Sequence, residues 1–205
     1  MKEKIHIYIC PFPRGTVSGQ LTVKGLEKYL KEEQIPYEVP DPDIREGKPY
    51  RKPYFHACPE YFHNVSHSGD WWACAYGRVE MGLDLQRKEN KDTARIAKRF
   101  FHPRETAWLQ DRSPDQFYRL WAYKESYLKY TGTGLLKGLD HFSVIPSGSE
   151  EGRSEAGEIK PGAEHVCQYE IPFPVKDYWM VLTTEKPVEI KVKCIQDPSG
   201  DGSWN

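Results

Sequence analysis

Residues 62–86 read FHNVSHSGDWWACAYGRVEMGLDLQ, and their alternation of apolar and polar side chains is the period of extended chain. Trp71 to Tyr76 forms one strand in this reading, Gly77-Arg78 a hairpin turn, and Val79 to Gln86 the next strand. On that second strand Leu83 and Leu85 take one face while Gly82, Asp84 and Gln86 take the other. A carboxylate and an amide therefore stand side by side, next to a glycine that admits a close neighbour.

Working outward, Ile5, Ile7 and Ile9 alternate with His6, Tyr8 and Cys10, a first strand ended by Pro11 and Pro13. Leu21, Leu26, Tyr29 and Leu30 have helical spacing within Ser18 to Gln34. The Pro- and Tyr-rich stretch from Tyr37 to Pro59 is expected to hold little regular structure. Downstream, Ala94, Ala97 and Phe101 make one face of a short helix and Pro103 opens another. A third helix is expected from the Ser113 N-cap to about Tyr130, with Gly132 and Gly134 just past its end. Strands are expected at His141 to Ile145, His165 to Ile171, Asp177 to Thr184 and Val188 to Cys194. Pro146 to Glu164 reads as a surface loop, and the tail 196–205 as disordered. The order implies an α+β fold of two similar halves, 1–81 and 82–195, meeting near Gly82.

The 205 residues carry 29 Lys plus Arg against 30 Asp plus Glu, a net charge of −1 that argues against a nucleic-acid binder. Aromatic residues at 13% are too many for a disordered chain. The five cysteines, Cys10, Cys58, Cys74, Cys167 and Cys194, form no C-x-x-C pair and read as reduced thiols. No apolar run reaches the roughly 20 residues that span a bilayer, and the opening MKEKIHIYICPFP is too short and polar for a secretory signal. The expectation is a cytoplasmic protein without a membrane or nucleic-acid partner.

Two further segments are unusual for a core. On the helix containing Trp121-Ala-Tyr-Lys-Glu-Ser-Tyr-Leu-Lys129, the residues Phe117, Leu120, Trp121 and Leu128 form a stripe. Lys124 falls inside that stripe, Glu125 on its edge and Lys129 just beyond, so these charges need partners or must snorkel. In Asn64-Val-Ser-His-Ser-Gly69, the Ser66 and Ser68 hydroxyls and the cationic form of His67 are able to hold a phosphate. A Ser–His hydrolase reading fails because no G-x-S-x-G elbow is present.

NVSHSG, GLDLQ and WAYKESYLK, in this order and at these separations, resemble the 4′-phosphopantetheinyl transferases of the Sfp (surfactin-synthetase-activating) type. Glu46-Gly-Lys-Pro49, Arg95 to Phe101 with Glu105, Gly134-Leu135 and Phe142-Ser-Val144 extend the likeness, which covers about residues 46 to 145. The resemblance implies two similar α+β halves with the nucleotide bound between them. It implies transfer of the phosphopantetheine arm of coenzyme A to a serine of an apo acyl or peptidyl carrier protein, with release of adenosine 3′,5′-bisphosphate. Such carriers serve fatty-acid, polyketide or nonribosomal peptide synthesis.

By the same likeness Asp84 and Glu125 are Mg²⁺ ligands, and Gln86 stands where a second acid often does, a weaker or indirect ligand. Ser66 and His67 fall near the phosphates of coenzyme A and Lys48 near the nucleotide. Lys129 is placed at the leaving phosphate and Lys124 orients Glu125 or the diphosphate. Glu105 matches the candidate general base, with Glu125 or a metal-bound water as alternatives. The short N-terminal part leaves Arg14 and Lys24 as available cations for the 3′-phosphate, and Arg95, Lys98 and Arg99 as a face for an acidic carrier. A chain holding both halves is expected to act as a monomer. Two other functions fit the same residues: a non-catalytic coenzyme A or carrier-binding module, and a metal-dependent phosphohydrolase using Asp84 and Glu125.

Overall fold

Two isoleucine-rich and leucine-rich strand faces meet to make the centre of the molecule. In the computed structural model, which describes residues 2–36, 44–47, 51–55, 58–134, 138–145, 157–159 and 166–195, the first sheet contains β1 (Glu3–Pro11), β4 (Phe62–Ser68), β5 (Trp71–Gly77) and β10 (Val188–Cys194), in the order β10-β1-β5-β4. The second contains β6 (Met81–Arg87), β7 (Gly157–Ile159), β8 (Val166–Ile171) and β9 (Tyr178–Thr184), in the order β6-β9-β8-β7. Ile5, Ile7, Ile9, Ala73 and Ala75 of the first sheet share one core with Leu83, Leu85, Met180 and Leu182 of the second. Each sheet carries a helix on its other side. Helix α1 (Ser18–Glu32) packs Leu21, Leu26, Tyr29 and Leu30 with Tyr8, Trp72 and Tyr76. Helices α2 (Thr93–Phe100), α3 (Pro103–Leu109) and α4 (Asp115–Thr131) form the third cluster with Val144 and Ile145. The fold is mixed α+β.

Several expectations are corrected. Gly77-Arg78 is no hairpin turn: Gly77 is the last residue of β5, paired with both Ile5 and Phe62, and the chain then leaves for the other sheet. The tight turn lies one strand earlier, at Gly69-Asp70 between Ser68 and Trp71, where Gly69 has φ of 56°. At the end of the expected 82–195 half, β10 pairs in parallel with β1 of the first sheet, Glu3 opposite Val188. Within the Pro-rich connector, β2 (Ile44–Gly47) and β3 (Arg51–Phe55) pair as an antiparallel ribbon, since neighbouring strands satisfy each other's backbone despite Pro53. Within the expected loop, Gly157–Ile159 pairs with β8 as an edge strand. His141 to Ile145 is no strand: Leu139–His141 is a 3-10 turn and Phe142 to Val144 runs irregularly beneath α3 and α4. Helix α4 begins at Asp115 with Pro114 as its N-cap and no side-chain cap, so Ser113 plays no capping role. It ends, as its sequence indicates, at Gly132 in the left-handed region, φ 67°. The remainder of the 146–164 loop and the tail lie outside the described residues.

Candidate active site

The second sheet places its edge strand β6 beside β4 of the first sheet, where no backbone ladder joins them. Side chains do so instead. Asn64 Oδ1, Ser66 Oγ and Ser68 Oγ, alternate residues on one face of β4, accept hydrogen bonds from the backbone N–H of Leu83, Leu85 and Arg87 at 2.8, 3.0 and 2.9 Å. The polar period of NVSHS therefore satisfies a sheet edge that would otherwise be buried unpaired. Ser66 also donates to Asp84 Oδ1 at 3.1 Å, so the clasp holds the carboxylate as well as the strand.

On the opposite side of β6, α4 approaches so closely that a Cβ on Gly82 would fall 2.1 Å from the Ser126 carbonyl oxygen and 2.2 Å from the Tyr130 nitrogen. Glycine is required there, and the approach brings Glu125 and Lys129 over Asp84. Lys129 Nζ donates to Asp84 Oδ1 at 2.8 Å, Ser66 Oγ at 2.8 Å and the Leu83 carbonyl at 3.0 Å. Buried Asp84 keeps its second oxygen, Oδ2, without a partner. Burial first, and then the charge of Asp84, push the Glu125 carboxyl up to about 7, with Lys129 opposing.

These residues line a single open cavity of about 360 Å³, bounded by Ser18, Val65, Ser66, His67, Asp84, Leu85, Gln86, Trp121, Glu125 and Lys129. Of the residues singled out from the sequence, Ser66, His67, Asp84, Gln86, Glu125 and Lys129 are thus brought together. His67 is exposed at the rim with its ring against Phe12, and Gln86 directs its amide nitrogen at the Arg87 carbonyl, 2.7 Å away. A larger cavity, about 630 Å³, opens around Lys52, His63, Glu80 and Tyr130, and contains neither Asp84 nor Glu125.

The donor set suits a hard divalent cation. Two carboxylates face one cavity, one of them with an oxygen that is buried and unpartnered, and Mg²⁺ takes one or two carboxylates with waters and phosphate oxygens completing its shell. Among the described residues no group of three or more His, Cys, Asp and Glu side chains gathers into a metal cage.

The sequence profile of the 4′-phosphopantetheinyl transferase superfamily matches residues 80–183. A 4′-phosphopantetheinyl transferase of Bacillus subtilis is 48% identical over 99 residues, 46% of this chain and 44% of that protein. The transferase Sfp of Bacillus subtilis (strain 168) is 35% identical over 166 residues, 73% of each chain. The transferase psf-1 of Bacillus pumilus is 33% identical over 181 residues, 85% of this chain and 72% of its own. The chain belongs to the 4′-phosphopantetheinyl transferase superfamily. The chain spans less than half of the first of these relatives and nearly three quarters of the other two, 44%, 73% and 72%.

Two residues that the family likeness brought to the site lie elsewhere. Glu105 is fully buried, with Oε2 accepting from Lys124 Nζ at 2.6 Å and from the His102 N–H at 3.2 Å, and Oε1 accepting from the Val144 N–H at 2.8 Å. It completes the capping box of α3 with His102, and none of its surface reaches the cavity. Lys124 falls in the apolar stripe of α4 as its position requires, but its partners are Glu105 and the Phe142 carbonyl, at 2.7 Å, so it orients neither a phosphate nor Glu125 directly. Lys48 lies outside the described residues. Sequence reasoning missed the clasp role of Asn64 and Ser68, which the every-second-residue polar spacing on a strand could have disclosed. It also missed Ser18 and Trp121 as cavity walls; Ser18 accepts from Trp72 Nε1 at 2.9 Å, a contact that has no local sequence signal.

Proposed function

We propose that this member of the superfamily transfers the 4′-phosphopantetheine arm of coenzyme A to the serine of an apo carrier protein, releasing adenosine 3′,5′-bisphosphate. The observation that carries this reading is the meeting of Asp84, Glu125 and Lys129 on one cavity, with Asp84 Oδ2 left open. Phosphoryl-type transfer asks chiefly for positioning and charge neutralisation, and those are what this arrangement supplies.

Asp84 and Glu125 would hold Mg²⁺, with Gln86 beside them. When bound, the ion neutralises and orients the diphosphate. Lys129 stands ready to stabilise the departing bisphosphate, its three N–H bonds now spent on Asp84, Ser66 and Leu83. Rim-exposed His67 contributes a donor to the phosphates. The hydroxyl of Ser66 is committed to β6, so its part is to hold Asp84. The serine proton passes to Glu125, which lines the cavity, rather than to Glu105, whose oxygens are taken up in the interior.

The two sheets further support two related halves. The orders β1-β5-β4 and β6-β9-β8 repeat with the same antiparallel sense, each first strand followed by the helices that cover its sheet. The boundary falls near Gly82, with β10 exchanged into the first half. Exposed Arg95, Lys98 and Arg99 on α2 offer a cationic face to an acidic carrier. A chain that holds both halves has little need of a partner copy, and five cysteines without a C-x-x-C pair suit a reducing compartment, which favours a cytoplasmic monomer. Among the described residues no helix is long and apolar enough to cross a membrane.

Intact-mass spectrometry of an apo carrier incubated with the protein, coenzyme A and Mg²⁺ tests the reading. A phosphopantetheine adduct on the carrier is expected. Binding of coenzyme A with no adduct on fatty-acid, polyketide or peptide carriers would make the protein a binding module. Bisphosphate release without a carrier would make it a hydrolase.

A further inference from the structure

Glu105 and Lys124 form an ion pair in which both side chains are fully buried, 0% exposed on each side, as no other pair among the described residues is. Stability alone is a poor reason for such a pair, because taking two charges out of water costs about what their attraction returns, and apolar replacements are often as stable. What an apolar pair lacks is direction. The Glu105 carboxylate accepts three N–H groups from three separate segments: His102 at the start of α3, Lys124 in the middle of α4, and Val144 in the irregular run beyond α4. Lys124 in turn donates to the Phe142 carbonyl and sits 4.1 Å from the centre of the Phe142 ring.

Lys124 is the chain neighbour of Glu125. On a helix, successive side chains point about 100° apart, so fixing where Lys124 points fixes where Glu125 points. Elsewhere on α4, Ser126 bonds Thr183 Oγ1 at 2.8 Å, Gln168 Nε2 donates to the Tyr123 carbonyl at 2.9 Å, Arg119 and Tyr123 meet Glu170, and Gly82 sets the distance to β6; these fasten the helix to the second sheet, whereas Lys124 fastens it to Glu105 of α3 and to Phe142.

We propose that Glu105 and Lys124 are positioning residues: their buried pair sets the rotation of α4 and so aims Glu125 and Lys129 at Asp84. The proposal rests on the transferase reading for what Glu125 and Lys129 then do, but not for the geometry it asserts.

The test compares the wild-type chain with Glu105→Gln, Lys124→Met and the double variant, reading thermal stability, Mn²⁺ affinity by electron paramagnetic resonance with coenzyme A present, and the kcat and KM of carrier modification. Each single variant should melt several degrees lower, since one buried partner is left alone. The double variant should recover a Tm within a few degrees of wild type and still bind Mn²⁺ about tenfold more weakly, as outer residues that orient ligands do when removed. Its kcat should fall by a similar factor with KM for coenzyme A within about twofold. A double variant with restored Tm and wild-type Mn²⁺ affinity and kcat overturns the proposal and leaves the pair a matter of stability. A Glu105→Gln variant with wild-type Tm and Mn²⁺ affinity but kcat lowered more than about 10³-fold also overturns it, in favour of a proton-transfer role. Should the double variant fail to fold, near-isosteric Glu105→Gln, which can still accept from the Val144 N–H, decides: folded with wild-type Mn²⁺ affinity, it overturns the proposal. If wild type itself modifies no carrier, the transferase reading fails, while the Mn²⁺ comparison still reports on positioning.

Discussion

Lys129 Nζ lies 2.8 Å from Asp84 Oδ1, while Asp84 Oδ2, buried like its twin, meets no donor. The lysine thus fixes the orientation of the carboxylate and leaves one oxygen for a cation. Asp84→Asn preserves shape and removes the charge. Transfer should drop by about 10²–10³-fold or more, the usual scale for losing a preorganised electrostatic partner, and the Tm should stay within a few degrees of wild type. Intact-mass assays alongside thermal melts check both; near-normal turnover would take Asp84 out of the metal site.

Gln86 contributes an amide to the cavity where a carboxylate would add charge. Gln86→Glu should lower the Mg²⁺ concentration giving half-maximal rate, because a third acid beside Asp84 and Glu125 strengthens attraction for a hard cation. Titrating Mg²⁺ in the transfer assay reads this directly. An unchanged metal dependence would mean that the side chain keeps to the Arg87 carbonyl it now touches.

Gly82 is the hinge of the whole geometry. Adding a methyl there meets backbone atoms of α4 at 2.1 and 2.2 Å, which cannot swing aside as a side chain would. Gly82→Ala should therefore cost at least about 3 kcal/mol, the upper range for overpacking, and whatever folds should transfer poorly because α4 has been lifted off Asp84. Gly19→Ala on α1 is the control: nothing lies within 4 Å of its Cβ position, and helix propensity alone should leave stability equal or up to about 1 kcal/mol higher. Chemical denaturation distinguishes the two.

The cavity was largely legible because its residues obey local periods. Two-residue alternation separated Leu83 and Leu85 from Asp84, and the helical period set Glu125 and Lys129 beside the apolar stripe while burying Lys124 within it. What escaped was pairing at a distance. Gly77-Arg78 has turn composition, yet β6 finds its partner in β9, with Gly82 opposite Thr183 a hundred residues on, and sequence assigns no cost to that choice. Glu105 was misplaced for a related reason. A carboxylate three residues after a helix start can cap the helix or face a ligand, and the choice depends on Lys124 and Val144 arriving from elsewhere. The ribbon Ile44–Phe55 was missed because proline content speaks against regular structure, whereas edge pairing tolerates it.

Ser66 holds three partners through one oxygen: the Leu85 N–H, Asp84 Oδ1 and Lys129 Nζ. Ser66→Ala strands a buried backbone donor and takes one hydrogen bond from each of Asp84 and Lys129, so stability should fall by about 1–3 kcal/mol. Activity should fall more than stability predicts, by about tenfold, since Asp84 then loses one of its two anchors. Urea titration and transfer kinetics on the same preparation separate these effects; a stable variant with full activity would mean that Lys129 alone orients Asp84.

His63, 5% exposed, has an unpartnered Nδ1 and a ring tilted against Phe55 with centroids 4.3 Å apart, and burial lowers its pKa to about 4. The unfolded chain takes up a proton at this residue below about 6.5 while the folded one does not. Since the folded value is depressed for a base, folding stability is full above 6.5 and is lost as pH falls from 6.5 towards 4, by up to about 3 kcal/mol. His63→Phe removes that titration and keeps an aromatic ring against Phe55. Between pH 7 and 5 the other groups, Glu125 included, titrate alike in both proteins, so the wild-type Tm should fall by about 5 °C more than that of the variant, and parallel curves would mean that His63 accepts a proton in the folded protein as readily as in the unfolded chain.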